Sequence, residues 1–282
     1  MSLYTLKSEV RRSINKAISL RKTIGLIPTM GSLHKGHLSL IKKGVNSCDV
    51  VWVTIFINPT QFNNKNDLNN YPKNIGNDLE MISKISKNIN IFYPEISEIY
   101  DGTVKMEVFD FQNLDKELEG KYRNNHFNGV GTIVSKLFEL FNPNKAFFGE
   151  KDFQQTRIIN KLIDIKNYKT ELIICPTVRE KNGLALSSRN SLLSTEDKEK
   201  ASIIYKMLVY GKENFLKIKF QKIYSNCKKE INSIPGFELE YLEIVDNKSL
   251  KKENKIDIKK SYRLFICVLV DSVRLIDNIL VK

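Results

Sequence analysis

Four cysteines in 282 residues, with no CxxC pair among them, leave this chain without a disulfide frame or a zinc-binding pattern. Cys48, Cys175, Cys227 and Cys267 are widely scattered and read as buried thiols of a reducing compartment. Long apolar runs are missing too. The longest uninterrupted one, Leu264 to Val270, is far too short to span a bilayer. Met1 to Tyr4 lead directly into a charged stretch from Lys7 to Arg12, with no apolar core of the kind a signal peptide needs. A cytoplasmic protein with no membrane partner is therefore expected. The sequence has no GKS or GKT for a P-loop, no GxGxxG for a dinucleotide fold and no internal repeat. It shows no Ser or Cys nucleophile arranged with a base, and no carboxylate cluster built to hold a metal.

What the chain does have is positive charge. Its 45 Lys and Arg outnumber 32 Asp and Glu, for a net +13. Such a balance suits a polyanionic partner or an anionic small substrate. The lysines are spread along the chain, however, and the densest groups, near Lys251 and Lys259, lack the interleaved aromatics of a single-strand binding surface. The excess charge therefore reads as a solvated coat, with no nucleic-acid partner. A hydrophobic fraction of 41% is ordinary for a soluble protein, and the length predicts two domains.

The first two-thirds alternates short β-type runs with helical periodicity, the signature of a parallel α/β sheet. Strands are expected at Thr23 to Pro28, Val50 to Ile57, Ile89 to Tyr93, Ala146 to Phe148 and Leu172 to Cys175. Helices are expected around Leu38, Ile41 and Val45, and around Ile75, Leu79, Ile82 and Ile85. Two more are expected over Val130 to Phe141 and Gln154 to Ile165. The asparagine-rich stretch from Asn63 to Asn70 reads as a mobile loop. After Pro176 the pattern changes. Ser194 with Asp197 resembles a capping box opening a long helix, and a second helix is expected near Gln221 to Ile231. Strands follow at Glu238 to Ile244 and Tyr262 to Val270, with a terminal β-type segment ending near Val281. Domains over 1–176 and 177–282 are expected, the second being smaller and α+β.

Chemistry-bearing residues gather where such a sheet reserves space for ligands, at the carboxyl ends of its strands. Directly after the first predicted strand stands Pro28-Thr29-Met30-Gly31-Ser32-Leu33-His34-Lys35-Gly36-His37. Gly31 and Gly36 would let backbone N–H groups approach a phosphate, and His34 and His37, three apart at a helix start, can point the same way. Two capping or surface histidines would explain the same letters. The second strand ends in Asn58-Pro59-Thr60-Gln61-Phe62, whose amides suit a polar substrate, although Gln61 could also be an ordinary loop residue. The third and last histidine, His126, lies in Glu119-Gly120-Lys121-Tyr122-Arg123-Asn124-Asn125-His126-Phe127. A later strand runs into Gly149-Glu150-Lys151-Asp152-Phe153-Gln154-Gln155, with Lys151 supplying charge and Asp152 either an N-cap or a ribose acceptor. Gly183 to Asn190 collects hydroxyls and a guanidinium suited to polyphosphate.

Taken together, the PTMGxLHxGH, NPxQF, YP, HFxGV, FGEKDxQQ and SSRN segments resemble the pantothenate synthetase family from about Lys7 to Asn190. That family belongs to the HxGH nucleotidyltransferase superfamily. The resemblance implies a Rossmann-like parallel-sheet N-terminal domain binding nucleotide and pantoate, and an α+β lid domain. It implies a ligase in which ATP, with Mg²⁺ carried on its phosphates, converts pantoate to a pantoyl-adenylate that β-alanine then attacks. It further implies that Met30, Gly31, Ser32, Leu33, His34, Lys35, Gly36 and His37 embrace ATP. Gly149, Glu150, Lys151, Asp152, Val178, Leu186, Ser187, Ser188 and Arg189 complete that contact. His34, His37, Lys151 and Arg189 are the expected catalytic groups. Gln61 and Gln155 would hold pantoate, with Asn58, Tyr71, Glu119 and Arg123 lining or supporting the site. No protein-built metal site is expected, and a homodimer is. The chain departs from the family pattern at Lys73, usually Arg, at Asn124-Asn125, usually Pro-Gly, and at Leu186, usually Met.

Two rivals remain at this level. An aminoacyl-tRNA synthetase would share HxGH and suit the charge, but the chain is short and lacks a KMSKS-type loop with its second lysine. A basic RNA-binding module would leave all four polar clusters unexplained.

Overall fold

The computed structural model describes residues 1–100, 102–253 and 255–282, and for Lys65 the backbone alone. Its elements are, in order, β1 (Ser2–Tyr4), α1 (Lys7–Ser19), β2 (Ile24–Thr29), α2 (Lys35–Val45), β3 (Val50–Ile55), α3 (Lys65–Asn69), α4 (Ile75–Ser83) and β4 (Ile89–Phe92). Then come α5 (Ile96–Tyr100), α6 (Glu119–Tyr122), α7 (His126–Phe141), β5 (Lys145–Gly149), α8 (Phe153–Lys166) and β6 (Glu171–Cys175). The chain ends with α9 (Thr195–Lys200), α10 (Ile203–Asn214), α11 (Phe220–Asn232), β7 (Phe237–Asp246), β8 (Tyr262–Val270) and β9 (Val273–Leu280). Two compact units result. One is Met1–Glu150 with Gln155–Pro176; the other is Lys151–Gln154 with Thr177–Lys282.

The first unit is built on a six-stranded sheet in the order β1-β4-β3-β2-β5-β6, with every pair parallel. Parallel strands need covered faces, and the β-branched β3, Val50-Val51-Trp52-Val53-Thr54-Ile55, is buried from its second residue onward. Period-2 alternation sends Leu26 and Trp52, partners in register, to one core with Val10 and Ile14 of α1 and Phe138 and Phe141 of α7. Ile27, Val51 and Val53 face the opposite core with Ile41 of α2 and Ile82 of α4. From β2 the chain steps outward through β3 to β4, then returns to place β5 on the other side of β2. This reversal of strand order opens a crevice at the carboxyl ends of β2, β3 and β5.

The second unit has a three-stranded antiparallel sheet, β7-β8-β9. Leu208 of α10 and Ile223, Cys227 and Ile231 of α11 pack with Leu264, Ile266 and Val268 of β8 in its core. Burial pushes the Cys227 thiol up to about 12, so it is an inert packing group. All four cysteines are free; three are buried and Cys48 is half-buried.

Several expectations need correction. Asn63 to Asn70 is not simply a loop: Lys65–Asn69 forms α3, because Asn64 caps it by accepting the Asn66 N–H. Ser194 does accept the Asp197 N–H, but the helix it starts stops at Lys200, and α10 begins anew at Ile203. Helix α7 starts at His126 rather than at Val130. Helix α1 was not expected, although Val10, Ile14 and Ala17 stand at helical spacing along and beyond the charged stretch. Among the described residues, no helix is long and apolar enough to cross a membrane.

Candidate active site

Strand β2 ends at Thr29, and the next turn is held by unusual backbone geometry. Gly31 has φ +79 and Ser32 has φ +49, the left-handed region that favours glycine. Asp78 offsets that strain. Its carboxylate, nearly fully buried in the first turn of α4, accepts the Ser32 N–H at 2.9 Å and the Leu33 N–H at 2.7 Å. Burial holds this carboxyl above its usual value against the pull of those two bonds. Asp78 was not anticipated from the sequence, since it lies 46 residues from Ser32 and looks like any first-turn acid.

The two histidines form a capping box. His34 Nδ1 accepts the Gly36 N–H at 3.1 Å, and His37 Nδ1 accepts the His34 N–H at 3.4 Å. Their rings lie 4.1 Å apart, centroid to centroid. Because each Nδ1 acts as an acceptor, each neutral ring carries its proton on Nε2, which makes Nε2–H a donor in both. Capping and ligand binding are therefore compatible in the same side chains. Lys35 is exposed, and Met30, Ser32, Gly36 and both histidines are half-buried.

At the end of β3, Asn58 is 1% exposed and its amide is fully used within the protein. Its Nδ2 donates to Gln61 Oε1 at 3.1 Å and to the Gly129 carbonyl at 3.0 Å. Its Oδ1 accepts from the Tyr100 hydroxyl and from Thr60 Oγ1. Asn58, expected among the substrate-reading groups, is thus wired to hold Gln61. Gln61 Nε2 in turn donates to Met30 Sδ at 2.9 Å, which links the two strand-end loops. His126 Nδ1 meets the Gln61 carbonyl at 2.8 Å; a carbonyl can only accept, so here Nδ1 carries the proton. The third histidine is a support beneath Gln61.

Helix α7 reaches this turn because Gly129 lets it. A Cβ there would lie 2.2 Å from the Thr60 carbonyl oxygen. The helix enters through Asn125 at φ +58, a left-handed position where asparagine is tolerated almost as glycine is. The Asn124-Asn125 departure therefore leaves the loop formed, with the Asn124 carbonyl accepting from Asn63 Nδ2. Glu119 is buried, with Arg123 at 3.7 Å, and Tyr71 packs edge-on against Phe62 at 5.7 Å. Gly149 closes β5, Glu150 follows it, and Gln155 is half-buried on α8.

The remaining predicted residues fall in the second unit. Lys151 Nζ lies 3.3 Å from Asp152 Oδ1. Val178 and Leu186 close a small hairpin, the Leu186 N–H donating to the Val178 carbonyl at 3.0 Å. Ser187 caps the next turn by accepting the Arg189 N–H at 3.3 Å, and Ser188 is buried.

A six-stranded parallel sheet with an HxGH turn at the carboxyl end of a central strand defines the class: this is a Rossmann-like α/β protein. The pantoate-beta-alanine ligase family model matches residues 2–280, and the chain belongs to that family. The pantothenate synthetase of Christiangramia forsetii is 43% identical over 279 residues, covering 99% of each chain. That of Flavobacterium psychrophilum is 42% identical over 285 residues and is covered in full. Among solved structures, pantothenate synthetase from Thermus thermophilus superposes with a TM-score of 0.89 at 31% identity over all of both chains. The pantoate-beta-alanine ligase of Francisella tularensis, complexed with beta-gamma ATP and beta-alanine, gives 0.83 at 35% identity, covering 100% of this chain and 98% of its own.

Proposed function

We infer that the chain is an ATP-dependent ligase that joins pantoate to β-alanine, yielding pantothenate, AMP and pyrophosphate. The observation that carries this reading is the family match over residues 2–280. It is supported by the Francisella relative that holds an ATP species and β-alanine.

A carboxylate is a poor acyl donor, so the reaction needs activation first. A pantoate carboxylate oxygen attacks the α-phosphorus of ATP, and the bond from that phosphorus to the bridging oxygen breaks. Pyrophosphate leaves with the electron pair. Catalysis of this step is chiefly alignment and charge neutralisation. The Nε2–H groups of His34 and His37 donate to phosphate oxygens, a role supported by the acceptor duty of both Nδ1 atoms. Lys151 and Arg189 neutralise the triphosphate, with Gly31 to Gly36, Gly149, Glu150, Asp152, Val178 and Leu186 to Ser188 around the nucleotide. Mg²⁺ arrives with ATP as its phosphate complex. Asp78, the carboxylate bonded to that loop, is already engaged by the Ser32 and Leu33 N–H groups.

Gln61 and Gln155 bind pantoate, while Asn58 and His126 fix Gln61 in place. In the second step the neutral β-alanine amine attacks the acyl carbon. The tetrahedral intermediate collapses by breaking the bond to AMP, and the amine's surplus proton passes to water. The three buried thiols support a reducing, cytoplasmic setting. The family also suggests a homodimer, which sedimentation of the purified chain tests; a monomer at assay concentration would rule it out.

The test of the reaction is incubation with ATP, Mg²⁺, pantoate and β-alanine. AMP and pantothenate should accumulate in equal amounts, and only when both acid and amine are present. ADP and phosphate would point instead to an acyl-phosphate ligase.

A further inference from the structure

Two adjacent residues of β9, Asp277 and Asn278, hold two separate segments of the second unit. Asp277 is 3% exposed and takes a two-pronged bond from Arg179, Nη1 to Oδ2 at 2.5 Å and Nη2 to Oδ1 at 3.0 Å. The same guanidinium donates to the Gly183 carbonyl at 3.2 Å and stacks 3.9 Å from the Tyr205 ring. Arg179 also bridges to Ala185, so this ion pair anchors the hairpin that ends at Leu186 and delivers Ser187 to Arg189. Asn278 is 4% exposed, and its Nδ2 donates to the Lys151 carbonyl at 2.8 Å. Its Oδ1 accepts from Arg263, whose guanidinium lies 3.9 Å over the Phe153 ring. The Asn278 N–H closes back on Asp277 Oδ1 at 2.8 Å. Lys151, Ser187 and Asp277 line one small cavity with Asn190.

We propose that Asp277 and Asn278 are positioning residues that set the Lys151 ammonium and the Ser187–Arg189 segment at a fixed spacing for one triphosphate. This rests on the reading that Lys151 and Arg189 engage ATP. Buried, hydrogen-bonded pairs of this kind are rigid, because breaking either partner strands a desolvated group. Rigidity at a charge-neutralising site matters because a misplacement of about 1 Å can cost on the order of 10²-fold in rate.

The decisive variant is Asn278→Asp, which is close in shape, keeps the acceptor for Arg263 and removes the donor to the Lys151 carbonyl. It is expected to fold but to melt below the parent, and to lower the single-turnover rate of adenylation or raise the ATP requirement by about 10–100-fold. Its pantoate requirement should stay at the parent value, a selectivity that a general loosening of the fold would not produce. In a Lys151→Ala background the Asn278→Asp loss should vanish. A loss that persists there reflects repulsion of ATP by the new charge and overturns the proposal. Lys151→Ala adenylating at the parent rate would overturn the reading of Lys151 itself. A slow Lys151→Ala beside an Asn278→Asp of parent rate would overturn the positioning role alone. If Asn278→Asp fails to fold, Asp277→Asn serves as the second variant. A parent ATP requirement in that variant would count against the proposal.

Discussion

The rings of His34 and His37 lie 4.1 Å apart, and each uses Nδ1 to accept a main-chain N–H of the same helix start. That division of labour separates stability from chemistry. His34→Asn keeps a good helix cap, so its melting temperature should stay near the parent's. It lacks the ring and its Nε2 donor, so adenylation should slow by roughly 10²–10³-fold. His37→Ala loses both functions and should show a comparable rate loss together with about 1 kcal/mol of stability. Single-turnover rates beside thermal melts decide this. A His34→Asn that melts normally and adenylates at the parent rate would return the pair to a purely structural role.

Gln61 and Asn58 are bonded to each other but should fail differently. Gln61→Ala should raise the pantoate requirement with ATP binding little changed, at a cost of about 1–3 kcal/mol for polar groups left unpaired. Asn58→Ala leaves Gln61 Oε1 without its donor and removes bonds to the Gly129 carbonyl and the Tyr100 hydroxyl, which keep Thr60 Oγ1 as a partner, so it should cost stability as well as pantoate use. Paired melts and pantoate titrations check the contrast. An Asn58→Ala of parent stability would contradict the network.

How much of this was legible depended on sequence distance. Strand and helix positions followed from local patterns such as the β-branched Val50 to Ile55 run, and the HxGH turn from the ten adjacent residues Pro28 to His37. The bonds from Asp78 to Ser32 and Leu33, and from His126 to Gln61, join residues at least 45 positions apart. Only the fold brings them together. His126 did leave a trace, being the last of three histidines and set in an unusual segment, but nothing in its letters said what it touched. The Asn125 turn could not be judged from composition either. Its φ of +58 accounts for a residue that tolerates glycine's conformation.

Asp78 offers a test of loop preorganisation. Asp78→Asn keeps one acceptor and places an amide N–H against the other of two buried N–H groups, at a cost of about 1–3 kcal/mol. If the Gly31–Ser32 turn must be held for ATP, part of that cost should appear as a raised ATP requirement of about 10-fold, with pantoate use less affected. Steady-state titrations of both substrates are the check. Equal effects on the two would mean that Asp78 supports the fold without shaping the nucleotide loop.

In the proposed adenylation a pantoate oxygen becomes bonded to the α-phosphorus of ATP. Pantoate labelled in its carboxylate with heavy oxygen tests this directly, by mass analysis of AMP formed in the presence of β-alanine. AMP carrying one labelled oxygen, with pyrophosphate unlabelled, is the predicted result. Unlabelled AMP formed alongside pantothenate would contradict it.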